Sequence, residues 1–142
     1  MADATGFLAR GKVLRTLGDQ IVFNPTGTNY ELHLVGPYTG PLNVPVSLRI
    51  LARGRKLLTV PSGGNFVTPI MGPPRIFQGR VRFADDRVIG VHAGVNVLIE
   101  IPAEEDAVDL AMGPITVGGL LNATVHPGVR FEYVPETAAV PG

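Results

Sequence analysis

Cysteine and tryptophan are absent from the 142 residues, and serine occurs only as Ser47 and Ser62. Without cysteine there is no disulfide framework, no thiolate metal site and no thiol nucleophile. Neither serine stands in a Gly-x-Ser-x-Gly turn, which removes the nucleophile elbow of a serine hydrolase. Charge is scarce too: charged residues make up 17% of the chain against 45% hydrophobic, and twelve bases balance twelve acids. A disordered chain would carry less apolar content and more net charge. No apolar run approaches the ~18–20 residues that a membrane-spanning helix needs. Met1 to Arg10 lacks a basic segment leading into an apolar one, so no secretory leader is expected and a cytoplasmic location is.

Glycine (18) and proline (13) are abundant, too abundant for a helix bundle. They punctuate a sequence that repeats. Gly11-Lys-Val-Leu-Arg15 matches Gly79-Arg-Val-Arg-Phe83, and with Thr16 skipped Asp19-Gln-Ile-Val matches Asp86-Arg-Val-Ile. Gly27 and Asn29 then meet Gly94 and Asn96, Leu32 and Leu34 meet Ile99 and Ile101, and Gly40-Pro-Leu-Asn-Val44 meets Gly113-Pro-Ile-Thr-Val117. The shared positions are turn residues and apolar residues, those that a common backbone would fix. Two units of roughly 65 residues are expected, over 6–62 and 75–136, joined by a Pro/Gly-rich segment over 63–74. That segment carries Phe66, Val67, Ile70 and Met71, which a free linker would not need, so it is expected along the seam between the units.

Strand signals dominate both units. In the second, 76–83, 87–91 and 96–101 read as strands, 102–112 as a short helix with its acids early, and 115–125 and 129–134 as two more strands. In the first, strands are expected over 7–15, 20–23, 30–35, 44–51 and 56–60, with a loop in place of the helix and a tight turn at Ala52-Arg-Gly-Arg55. The order β-β-β-α-β-β resembles that of the OB-fold, a five-stranded, partly open barrel. The fold class is therefore mostly all-β, a tandem pair of OB-like barrels. The rival is one larger duplicated barrel or sandwich with strands exchanged between the halves. Barrels this small bury little surface alone, and mean hydropathy is +0.25, so packing of the barrels or oligomerisation is expected.

The charge is divided. Residues 1–72 hold seven bases and three acids, a net +4; residues 73–142 hold five and nine, a net −4. The sharpest local feature is Arg53-Gly-Arg55-Lys56, at the turn that flanks the ligand face of many OB-folds. Arg10, Lys12 and Arg15 on the first strand would extend the patch, and Tyr30 or Phe23 would supply a stacking surface for a single strand. A solvated hairpin tip would carry the same bases. Ser62-Gly-Gly-Asn65 lacks phosphate-loop spacing and reads as a turn. His33, His92 and His126 have no zinc-ligand spacing, and the pairs Asp85-Asp86 and Glu104-Glu105 read as a turn and a helix start.

No catalytic residue, metal ligand or cofactor site is expected. The leading reading is a non-enzymatic structural or protein-interaction module, self-associating or bound to a protein partner, with no membrane role. The alternative is single-stranded nucleic-acid or polyanion binding through the basic hairpin. A third reading is small-ligand or oxyanion binding between the barrels. Tandem OB-like domains of this length occur among molybdate-binding proteins, but their Ser-Ala-Arg-Asn-type signature is missing here.

Overall fold

Val, Ile, Leu and Phe alternate with polar residues in short runs that Gly, Pro, Asn and Asp break, and a chain so patterned pairs as strands. The computed structural model describes residues 6–135. The start of the N-terminal stretch and Glu136, which closes the second unit, lie outside the described residues. The protein is all-β, 56% strand, and among the described residues no helix reaches seven residues. One sheet holds twelve strands: β1 (Ala9–Leu17), β2 (Gln20–Pro25), β3 (Glu31–Val35), β4 (Pro45–Val60), β5 (Phe66–Thr68), β6 (Met71–Gly72), β7 (Ile76–Ala84), β8 (Val88–His92), β9 (Asn96–Glu100), β10 (Val108–Asp109), β11 (Leu120–Val125) and β12 (Arg130–Val134).

The pairings close on themselves twice. One circuit runs β1-β2-β3-β12-β4 and returns from β4 to β1; the other runs β4-β11-β7-β8-β9 and returns from β9 to β4. In each, the return to the third strand is parallel: Arg130 pairs with Val35, and Leu51 to Arg53 pair with Leu98 to Glu100. β4 belongs to both circuits. Its first part lies between β1 and β12, its second between β9 and β11. The units expected over 6–62 and 75–136 therefore do not each keep their own strands. The last strand of each stretch pairs with strands of the other, all within the one twelve-stranded sheet. The turn expected at 52–55 is not a hairpin tip, because β4 runs straight through it.

The β1–β2 and β7–β8 ladders coincide when one is shifted by 68 residues. Val13 faces Phe23 as Val81 faces Val91, and each ladder then skips one residue, Leu14 in the first and Arg82 in the second. Such a bulge sharpens the bend of a strand. The register needs no skip at Thr16. It sets Leu32 and Leu34 over Val97 and Ile99, not over Ile99 and Ile101, because the β8–β9 connection is shorter. Gly27 and Gly94 turn the chain in both units with φ near +80°, a backbone that favours glycine.

The helix expected over 102–112 is a second correction. Only a 3₁₀ turn, Glu105–Ala107, forms there, and its N-cap Glu104 makes no side-chain capping bond. A lone helix of that length needs a packed apolar face. Here Ala111 and Met112 stay exposed, and Val108 instead pairs beside Leu57. The connecting segment does join the halves: β5 pairs with β7 and β6 with β3. Val67 is fully buried, whereas Ile70 and Met71 remain exposed. One core runs through both circuits, from Phe23, Leu34 and Leu48 to Phe77, Ile99 and Leu121.

Candidate functional site: a basic cleft where β4 changes circuit

Along the first part of β4, residues 46, 48, 50, 52 and 54 are buried while 53 and 55 are exposed. The phase then changes. Opposite β11, Val125 faces Gly54 but Thr124 faces Lys56, so Arg55 is an extra residue. This bulge leaves Arg55 and Lys56 both exposed and turns Leu57 inward. Gly54 is required at the crossing, since a Cβ there would stand 2.5 Å from the Glu100 carbonyl oxygen.

Three other segments meet the bulge and are stitched by backbone hydrogen bonds. The His126 N–H donates to Arg53 O, the Val125 N–H to Arg75 O and the Arg75 N–H to Thr68 O, each at 2.9 Å. Between these segments opens a cleft of about 520 Å³. Arg55, Arg75 and His126 line it together with the rings of Pro69, Pro73, Pro74 and Pro127, and Thr124 and Val125 complete the wall. A shallower groove of about 480 Å³ continues from it past Thr68 and Ile76. Among the described residues no acidic one lines the cleft. Among the described residues neither guanidinium, of Arg55 or of Arg75, has an ion-pair partner. Two guanidinium side chains and an imidazole thus lie along one cleft beside four prolines.

Of the bases singled out in the sequence, Arg53, Arg55 and Lys56 thus stay together at the bulge, and Arg55 faces the cleft. The β1 bases are elsewhere. Arg10 lies opposite Ser47 and donates to its hydroxyl at 3.0 Å, and Lys12 lies opposite Pro45. Ser47 is six residues from Arg53 along β4, roughly 20 Å at strand rise. Arg15 pairs with Glu31 at 3.8 Å. Tyr30 is no stacking platform: it is buried, and its hydroxyl donates to Ala93 O at 3.3 Å, tying the first circuit to the β8–β9 turn. Phe23 is fully buried. Tyr38 packs edge-on against Tyr133, with centroids 5.0 Å apart, and donates to Pro41 O. Burial and the neighbouring Tyr133 push its phenol up from the ordinary value.

Ser62 to Asn65 do not line the cleft; Gly64 O accepts a hydrogen bond from the Gln78 side chain at 3.0 Å. His92 Nδ1 bonds Asn96 Oδ1 at 2.8 Å. Among the described residues no three His, Asp or Glu side chains are placed to hold a metal ion. Asp85 Oδ1 accepts the N–H groups of Arg87 and Val88 at 2.7 and 2.8 Å, closing the β7–β8 turn. Those two bonds hold its carboxyl below the usual range.

Arg75, His126 and the prolines were not singled out as a site in the sequence. The one signal was a base beside proline in both Pro73-Pro74-Arg75 and His126-Pro127. The pairing of β11 with the second part of β4 and with β7 brings those two stretches to Arg55. Among the described residues no helix is long and apolar enough to cross a membrane. No protein-family model matches the chain, and comparisons with curated proteins and with solved structures give no match.

Proposed function

We propose that the chain is a non-enzymatic anion-binding module, an internally duplicated pair of OB-type barrels interlocked by exchange of their last strands. Its binding site is the cleft at the crossing. The observation that carries this reading is the convergence of Arg55, Arg75 and His126 on one cleft with no acidic residue in its wall. A concave site of this size suits a compact ligand better than an extended strand. The nucleic-acid alternative also has little to stack a base on, since no aromatic residue among the described residues is in the exposed class. A ligand that binds only the folded state raises stability, by about 2.7 kcal/mol at a hundred times its dissociation constant. The test is thermal denaturation with a panel of organic and inorganic anions and a single-stranded oligonucleotide. At least one compact anion is expected to raise the midpoint of the natural protein and to leave an R55Q/R75Q variant unmoved. Equal stabilisation of both proteins would place the binding elsewhere.

A second reading, a self-associating structural or protein-interaction module, is favoured by a different surface. Leu110, Met112 and Val117 are 44%, 61% and 70% exposed on the segment after β10. Met112 also lines a groove of about 230 Å³ with Thr59, Val60, Arg80, Ile115 and Leu120. Exposed apolar groups so grouped favour contact with another protein surface. Light scattering is expected to give a defined oligomer that an M112S/V117T variant converts to monomer. A monomeric natural protein would remove this reading.

A further inference from the structure

The cleft is built for more than an oxyanion. We infer that its ligand is a small organic phosphate monoester carrying a flat apolar group, an inference that rests on the cleft being the binding site. Arg55 and Arg75 both line the cleft, and the planar fork of a guanidinium matches phosphate oxygens two at a time. A phosphate monoester carries a charge of about −1.5 to −2 near neutral pH. It can engage both forks, with His126 beside them, whereas a carboxylate would leave one unmatched. The volume of about 520 Å³ is that of an organic ligand, and a bare phosphate ion would leave most of it unfilled. Proline has no side-chain donor, so the four rings of Pro69, Pro73, Pro74 and Pro127 offer apolar faces only. A flat apolar group laid between them would be removed from water while its phosphate sits at the guanidiniums. The backbone bonds joining residues 53, 68, 75, 125 and 126 hold these walls in place before anything binds, which reduces the ordering cost of binding.

Isothermal titration calorimetry on the full chain would use phenyl phosphate, inorganic phosphate, benzoate and a mixed-sequence single-stranded oligonucleotide, at one moderate salt concentration. R55Q and R75Q would be titrated alongside, with circular dichroism confirming that they are folded; both residues are exposed, so neither substitution opens the core. Phenyl phosphate is expected to bind at least tenfold more tightly than inorganic phosphate or benzoate, and each substitution to weaken it at least tenfold. Equal binding of phenyl phosphate and inorganic phosphate would overturn the apolar group. Equal binding of benzoate would overturn the phosphate. Tighter binding of the oligonucleotide, lost in R75Q, would replace the small ligand by a nucleic-acid strand. In these three cases the cleft still binds anions. Binding of none of the four, or binding that both substitutions leave unchanged, would overturn the cleft as well.

Discussion

Gly79→Ala is expected to destabilise the protein by about 3 kcal/mol, at the upper end for inserting one carbon into a packed site. A Cβ at this position would stand 2.0 Å from the His92 carbonyl oxygen and 2.8 Å from the Ala93 Cα. Both are backbone atoms, so no side chain can rotate away. The strand cannot retreat either, because β7 is held by β8 on one edge, where Arg80 pairs with His92, and by β11 on the other, where Gly79 pairs with Leu121. For a domain of this size the midpoint should fall by roughly 10 °C. Gly11 is in the same position in the first circuit. Its Cβ would meet the Asn24 carbonyl oxygen at 2.3 Å and the Pro25 Cα at 2.8 Å. Gly11→Ala should therefore cost a similar amount. Gly64→Ala is the control: nothing lies within 4 Å of its Cβ and its φ is not positive. It should stay within about 0.5 kcal/mol of the natural protein. Urea denaturation of the three variants decides the matter. A Gly79→Ala protein as stable as the Gly64→Ala control would mean that β7 and β8 do not approach each other as closely as the ladder states.

Gly11 and Gly79 also show what could be read from the sequence. Each stands inside an otherwise apolar alternation, the mark of a strand interrupted for a close approach, and each lies two residues before a valine, Val13 or Val81, in ladders of the same register. The strands longer than three residues were legible for the same reason, while the short β5, β6 and β10 were not: alternation and turn residues are local, and a buried face on a strand depends only on the pleat. Where the chain goes between strands is not local. Ala52-Arg-Gly-Arg55 has the composition of a hairpin turn, and the same residues serve equally in a bulge, where Gly54 permits close approach to Glu100 and Arg55 is the extra residue. The acidic stretch 102–112 has helix-forming residues but little of it is buried, so propensity was not enough. The site followed the same divide. The bases at 53, 55 and 56 were visible as a cluster; Arg75 and His126 reach it because β11 pairs with the second part of β4 on one edge and with β7 on the other.

The pairing of β12 with β3 and the first part of β4 makes a prediction opposite to the one two self-contained units would make. Phe131 lies on β12, in the second half of the sequence, yet it is 4% exposed within the first circuit. It pairs with Ile50, and its ring lies 6.3 Å from that of Tyr38 and against Gly36. Phe131→Ala should destabilise by about 3–5 kcal/mol, the usual loss for a buried phenylalanine. The more informative readout is amide exchange under native conditions, which reports the opening of separate parts of a structure. β12 supplies the partner of Ser47 to Leu51 along one edge of β4 and meets β3 at Val35. Protection should therefore fall most in β3 and the first part of β4, some 80 to 100 residues before the substitution. β7, β8 and β11, nearer in sequence, take their partners from β4, β5, β9 and one another, and should keep more of their protection. In self-contained units the order would be reversed, because β12 would close its own half. Loss of protection confined to residues 75–125 would therefore count against the pairing of β12 with β3 and the first part of β4.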